Sequence, residues 1–357
     1  MQFIDFVFGS SFLVGGIIIS FISNGLLLRF SQTLGIRNKN DVIVRWSNQS
    51  KPSLGGVSFY IVFIFTIFAF SIVYFDDNIF HNRAFVGCFA AASLAFLMGL
   101  ADDAYNTKPV LKLIAQIMCG ITFVFSDNTI DLFHSFWPDA ILTTIWVVTL
   151  MNSLNMLDNM DGITGTTVLF VLLSCLFAYF LCFPDVISFW SISLLALIGG
   201  LLGFLYFNVY PSKIFMGDAG SQFIGLIVAF YTIHFHWNLG ANHQVPSWSG
   251  MILALVALTP AAADTLTVVI NRLKKGKSPM VGGKDHTTHH LVYSGYSDKQ
   301  VWIIFSILGA LSLLLSLLLI QLIKYGNVSL VPLFALFFIA VFVFLYRKTI
   351  LYPQPKN

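Results

Sequence analysis

The chain contains no glutamate, and its 16 acidic residues are all aspartate. Charge of either sign is scarce: Asp, Glu, Lys and Arg make up 10% of 357 residues, against about 25% in soluble globular proteins. That scarcity excludes a soluble fold, and the 37 Phe in a chain that is 57% apolar exclude disorder. Four cysteines, Cys88, Cys119, Cys175 and Cys182, are too few for a secreted disulfide scaffold. Each lies in or at the end of an apolar run, and their spacing matches no metal or redox motif, so they read as small buried hydrophobes. What the chain has is apolar length. With a mean hydropathy of +0.83 it reads as a polytopic membrane protein.

Apolar stretches lie near residues 7–28, 54–75, 84–101, 110–125, 139–157, 163–183, 186–207, 221–237, 249–271, 301–323 and 330–346. In hydrocarbon each backbone polar group must be satisfied within its own segment, so these are helices and the fold class is all-α. The expectation is one integral membrane domain over 1–357, a bundle of about eleven transmembrane helices, with ten as the alternative count. No basic region precedes the first apolar run and Arg29 follows it, which places the N-terminus outside and the C-terminus in the cytoplasm. The basic residues agree. Of 19 Lys and Arg, all except Arg83 and Lys324 fall on or beside the cytoplasmic side, clustered at Arg29–Lys51, Arg272–Lys284 and Arg347–Lys356.

The polar signals fall in the same five cytoplasmic connections, at about 29–56, 99–110, 155–162, 208–221 and 264–300. Adjacent Asp102 and Asp103 at a helix end cannot both be ionised comfortably in a low dielectric unless a cation intervenes. Asn155, Asp158 and Asp161 recur every third residue, which gathers them along one side of a helical end. Asp218 follows Gly217 in a turn, where a carboxylate can approach a ligand closely. Hard oxygen donors suit Mg²⁺, which takes one or two protein carboxylates and completes its shell with water and phosphate oxygens. Arg272, His286, His289 and His290 of the last connection supply anion-binding groups, and Lys112 can reach a phosphate from the start of its helix. Acidic groups for a metal and basic groups for phosphate, at one membrane face, point to phosphoryl transfer to or from a lipid.

Taken singly, each motif has an ordinary explanation. Asp102 and Asp103 can be a solvated pair, Asp158 and Asp161 helix caps, and Gly217–Gly220 a turn. On one face together, these explanations must all hold independently, which weakens them. Gly276-Lys277-Ser278 resembles the end of a phosphate-binding loop, but position 271 is Asn and no strand precedes it. His286, His289 and His290 have a spacing that can hold zinc, yet no Cys or separate His accompanies them. A transporter would place its carboxylates near mid-span in inverted repeats, and neither is visible. No role is assigned to His234 and His236.

As a set, the motifs resemble the integral-membrane polyprenyl-phosphate N-acetylhexosamine-1-phosphate transferases (glycosyltransferase family 4). The resemblance runs from about Lys51 to His290 and is most specific at Gly99–Asp103, Asn155–Gly162, Asn208–Ser221 and Asp264–His290. It implies transfer of an N-acetylhexosamine 1-phosphate, with N-acetylglucosamine the default, from a UDP-sugar to undecaprenyl phosphate. UMP is released, Mg²⁺ or Mn²⁺ is required, and the site lies on the cytoplasmic face of the inner membrane. Asp102 and Asp103 match the family's paired aspartates, beside the metal and implicated in deprotonating the lipid phosphate. Asp218 matches a metal-ligating aspartate, and Asp103 is the second metal candidate. Asn155, Asp158 and Asp161 match residues lining the nucleotide-sugar site; Asn208 and Phe215 match uridine-pocket positions. His289 and His290 fall in the histidine-rich loop, which here reads His286-Thr-Thr-His-His. Asn159 and Asn106 depart from the family pattern. The muramyl-pentapeptide enzymes carry a glutamate in their histidine run that this chain cannot supply, so the sugar-only branch of envelope polysaccharide synthesis is favoured. The resemblance also allows a homodimer; no nucleic-acid partner is expected.

Overall fold

Hydrocarbon offers a backbone no hydrogen-bond partners, and the chain responds with helices throughout. The computed structural model describes residues 3–33, 51–74, 78–183, 188–279 and 282–355; most of the first basic connection, 34–50, lies outside the described residues. The helices are α1 (Phe3–Thr33), α2 (Val57–Val73), α3 (Arg83–Tyr105), α4 (Pro109–Phe125), α5 (Phe136–Leu157), α6 (Ile163–Cys182) and α7 (Phe189–Asn208). They continue as α8 (Gly217–Thr232), α9 (Leu239–Asn242), α10 (Trp248–Ala257), α11 (Thr259–Lys274), α12 (Thr287–Tyr293), α13 (Asp298–Lys324) and α14 (Ala335–Leu351). No strand occurs among the described residues.

Among the described residues, each of the eleven apolar stretches is mostly helical. Eight helical segments among the described residues are long and apolar enough to cross a bilayer, which makes this a multi-pass membrane protein. α2 and α4, 17 residues each, are apolar but shorter. The stretch at 249–271, read from sequence as one span, is two helices, α10 and α11, bent by 84°. Pro260 in the first turn of α11 has no N–H to continue the α10 ladder, and its ring crowds the preceding turn.

Burial separates core from rim. The apolar window of the 217–242 segment is 89% buried inside the protein, and that of 328–351 only 17%. α8 is therefore the central helix, and α14 faces outward. Lipid gives helices no hydrophobic reason to associate, so close packing and interhelical hydrogen bonds must hold them. α1 and α7 meet through small residues: a Cβ on Gly16 would lie 2.2 Å from the Ala196 carbonyl oxygen, and one on Gly199 2.2 Å from that of Leu13.

The two ends of the bundle differ in kind. At one end polar groups fasten loops: Asp139 accepts the backbone N–H groups of Leu132 (3.1 Å), Phe133 (2.9 Å) and Ser135 (2.9 Å). There His234, half-buried, pairs through Nε2 with Asn128 Oδ1 at 2.9 Å. The opposite end gathers the C-terminal ends of α3, α5 and α7 with the N-terminal ends of α4, α6 and α8, and with them the spaced aspartates.

The α1–α7 seam makes a sharp prediction. Gly16→Ala forces backbone apart and lowers stability by about 1–3 kcal/mol. Gly15→Ala, where an added Cβ meets nothing within 4 Å, is neutral or slightly stabilising. Thermal unfolding of both variants in detergent measures the contrast.

Candidate active site

The site begins with backbone rather than side chains. The segment Pro52–Gly56 runs beside Phe215–Gly217: Phe215 N–H donates to the Pro52 carbonyl (2.9 Å), Gly55 N–H to Phe215 (2.9 Å) and Gly56 N–H to Met216 (2.8 Å). Gly217 turns the chain into α8 with φ +78°, a conformation that glycine adopts without a steric penalty. A Cβ there would lie 2.2 Å from the Ser53 carbonyl oxygen. Gly99 lets α3 approach equally closely, since its Cβ would lie 2.3 Å from the Asp218 carbonyl oxygen.

This approach sets four helix ends against one another. Asp103 Oδ2 accepts the Ala219 N–H at 2.9 Å, capping the first turn of α8 where the helix dipole favours negative charge. Asp102, buried at the end of α3, is held by the Thr107 N–H (2.8 Å) and Oγ1 (2.6 Å). From the start of α4, Lys112 Nζ reaches Asp102 Oδ2 at 2.5 Å and Asp218 Oδ1 at 3.6 Å. Asn155, near the end of α5, donates through Nδ2 to Asp218 Oδ1 and to Ser221 Oγ (2.8 Å). Two carboxylates, Asp102 and Asp218, thus share the Lys112 ammonium. The Asp102 side chain is 6% exposed and that of Asp218 30%, so of the two carboxylates on Lys112 it is Asp218 that a ligand can reach.

A second group ties the neighbouring connections. Asp161 accepts from Ser212 through both its N–H (2.9 Å) and Oγ (2.8 Å). Lys51 Nζ donates to Ser212 Oγ (3.1 Å), lies 3.6 Å from Asp161 Oδ2 and sits 5.3 Å from the centre of the Phe215 ring. Asn208 is buried and braces the same turn, accepting the Gly162 N–H (3.1 Å) and donating to the Ile214 carbonyl (2.9 Å). Asp158 ends α5 as its C-cap. The α5–α6 turn reaches the histidine helix through Thr288 Oγ1, which donates to Asn159 Oδ1 at 2.6 Å.

The histidine segment forms a third group, organised from below by Asp264. This fully buried carboxylate accepts from the Thr287 N–H (2.8 Å) and Oγ1 (2.5 Å), and lies 3.0 Å from His286 Nδ1. Arg272 is buried and forms a two-pronged pair with Asp285, Nε to Oδ2 at 2.9 Å and Nη2 to Oδ1 at 2.7 Å; its Nη1 donates to the Pro279 carbonyl (2.8 Å). The guanidinium expected to meet substrate phosphate is thus engaged in holding the loop. Burial, with the neighbouring His286, pushes the His289 imidazole down to about 3. Burial also lowers His290, whose Nδ1 lies 2.6 Å from the Tyr352 carbonyl oxygen. Near neutral pH both rings are uncharged, so they offer hydrogen bonds to a ligand rather than positive charge.

Among the described residues no group of three or more His, Cys or Asp side chains is placed to hold a metal ion. Mg²⁺ does not require such a group, because one or two carboxylates plus substrate phosphates suffice. The oxygen donors of Asp103 and Asp218 fit that chemistry. Lys51, Thr107, Ser212, Ser221 and Asp285 also belong to the assembly, and sequence reasoning gave none of them a role. Lys51 carries a signal in hindsight, as a basic residue directly before the Pro52–Gly56 turn. The serines and threonines carry none, since a hydroxyl in a loop is common.

The Arg272–Asp285 pair has a pH signature. Burial works against the Asp285 carboxylate, but Arg272 overrides it and holds the group below the ordinary carboxylate range. A lowered folded value contributes stability above the unfolded pKa of about 4 and loses it as pH falls through the folded value. Arg272→Met leaves burial alone acting on the Asp285 carboxylate and raises its folded value, so the loss of thermal midpoint relative to wild type is largest near pH 7 and narrows as pH falls through the carboxylate range.

Comparison with known proteins follows this geometry. Residues 85–236 match the profile described as glycosyl transferase family 4. A probable undecaprenyl-phosphate N-acetylglucosaminyl 1-phosphate transferase of Bacillus subtilis (strain 168) is 24% identical over 267 residues, covering 72% of this chain and 70% of that protein. The undecaprenyl-phosphate alpha-N-acetylglucosaminyl 1-phosphate transferase of Yersinia pestis is 27% identical over 277 residues, covering 73% and 70%. A phospho-N-acetylmuramoyl-pentapeptide-transferase of Carboxydothermus hydrogenoformans is 34% identical, but over 125 residues and 34% of each chain. The matched region holds the aspartate pair, Lys112, Asn155 and Asp218, and over that region the chain is similar to glycosyl transferase family 4.

Proposed function

We propose that the protein transfers N-acetylglucosamine 1-phosphate from UDP-N-acetylglucosamine to undecaprenyl phosphate and releases UMP, beginning a lipid-linked envelope polysaccharide. The observation that carries this reading is the Asp102–Lys112–Asp218–Asn155 cluster, built from four helix ends at the edge of a membrane bundle. A lipid phosphate and a soluble nucleotide can meet at such a place. The names of the long-matching relatives support the donor and acceptor. The positive-inside distribution of Lys and Arg supports a cytoplasmic site in the inner membrane.

The chemistry needs charge management more than a strong base. A phosphate monoester is already anionic near neutral pH, so an acceptor oxygen attacks the β-phosphorus directly and the bond from that phosphorus to the UMP oxygen breaks. Lys112, shared by two carboxylates, is placed to exchange one of them for a phosphate oxygen while Asp102 keeps hold of it. Asn155 orients Asp218. Lys51 over Phe215 extends the site toward a nucleobase, with Asp161 and Ser212 fixing the ammonium. Neutral His289 and His290 are suited to hydrogen-bond the sugar or diphosphate without adding charge. Mg²⁺ held by Asp218 and Asp103 would supply neutralisation of the diphosphate charge.

Purified protein with radiolabelled UDP-N-acetylglucosamine, undecaprenyl phosphate and MgCl₂ is expected to yield organic-soluble label and UMP, and EDTA to abolish both. Asp218→Asn lowers kcat by at least about 100-fold. A panel that includes UDP-N-acetylmuramoyl-pentapeptide tests the sugar, and absence of lipid-linked product with every UDP-N-acetylhexosamine sinks the proposal. Direct displacement further predicts no isotope exchange between UMP and the UDP-sugar when acceptor lipid is omitted.

A further inference from the structure

One helical turn deeper than the charged cluster, the same three helices carry a second polar layer. Gln116 follows Lys112 by four residues on α4, Gln222 follows Asp218 by four on α8, and Asn152 precedes Asn155 by three on α5. These offsets place each pair on one face of its helix. The layer is connected in one direction. Asn152 Nδ2 donates to Gln116 Oε1 at 2.7 Å, and Gln116 Nε2 donates to Gln222 Oε1 at 3.0 Å. Asn152 is anchored in turn on the Val148 carbonyl (2.8 Å). Gln116 and Gln222 are each 1% exposed.

The two layers repeat the same helix pairings. α4 meets α8 through Lys112–Asp218 above and Gln116–Gln222 below. α5 joins through Asn155–Asp218 and Asn155–Ser221 above and Asn152–Gln116 below. Their chemistry differs in a useful way. The upper layer must change partners when phosphate and metal arrive, because Lys112 and Asp218 are the groups those ligands engage. Amides do not titrate and compete poorly for a hard cation, so the lower layer keeps its bonds through the same event. A hydrogen bond between buried amides also fixes rotation and register more narrowly than apolar contact does, since misalignment leaves a polar group unpaired.

We infer that Gln116, Gln222 and Asn152 are positioning residues that hold α4, α5 and α8 in register, so that Lys112, Asp218 and Asn155 stay aligned while the charged layer exchanges its partners. The inference rests on the activity proposed above, and it is tested by one readout that needs that activity and one that does not. Gln222→Met and Gln116→Met keep an unbranched side chain of similar length and remove the bond. Per folded enzyme, each is expected to lower kcat about ten-fold with KM for the UDP-sugar changed less than about two-fold. The double variant falls no further than the worse single, because both lose the same bond. Independently, acetic anhydride labelling of Lys112, read by mass spectrometry against Lys213 in the same sample, rises several-fold in the variants. Unchanged kcat per folded enzyme, unchanged Lys112 labelling, or multiplicative losses in the double variant each overturn the inference. If wild type makes no lipid-linked product, the proposed function fails and the labelling alone decides the amide layer. Should Gln222→Met not fold, Gln116→Met carries both measurements.

Discussion

Among the described residues, the Lys112 ammonium is shared between Asp102 and Asp218 at the mouth of the bundle, and the arrangement around it follows from that sharing. Without a cation, Asp102 and Asp218 would repel each other where few waters can screen them. With Lys112 between them, α3, α4 and α8 can converge. Asp103 is disposed of separately, against the N-terminal turn of α8.

Convergence on that scale depends on backbone as much as charge. Gly99 and Gly217 allow main chain to pass where any side chain would collide. The Pro52–Gly56 segment then hydrogen-bonds across to Phe215 and Met216 as though the two were a short ribbon. Beneath, the amide layer of Gln116, Gln222 and Asn152 gives the converging helices a neutral point of contact that ligand charge does not disturb. The histidine segment is arranged on different terms. Asp264 and the Arg272–Asp285 pair spend their charges on the loop itself, leaving His289 and His290 neutral beside it.

Particular residues show which parts of this were legible in advance. Asp102, Asp103, Asn155 and Asp218 stand out in the sequence because ionisable and amide groups at the ends of apolar runs have few ordinary uses. Lys112 was legible for the same reason. Arg272 and Asn208 looked equally suited to substrate, yet one is paired with Asp285 and the other braces Gly162 and Ile214. A basic or amide side chain looks the same in sequence whether its partner is a ligand or a loop. The 84° bend between α10 and α11 was marked only by Pro260, and a proline in an apolar run is compatible with a kinked continuous helix as well as a broken one.

Sequence alone determined the membrane class, the helical nature of every apolar stretch and the confinement of spaced aspartates to connections between them. Those properties are local: a run of apolar residues settles its own burial and backbone pairing whatever the rest of the chain does. Tertiary structure decided which polar groups meet. Lys112 chooses Asp102 and Asp218, Lys51 chooses Asp161, and Gln116 chooses Gln222 because helix rotation and register bring them together across 10, 106, 110 and 106 residues of chain. Such choices depend on close approach between distant backbones, and hydropathy along the chain carries no record of it.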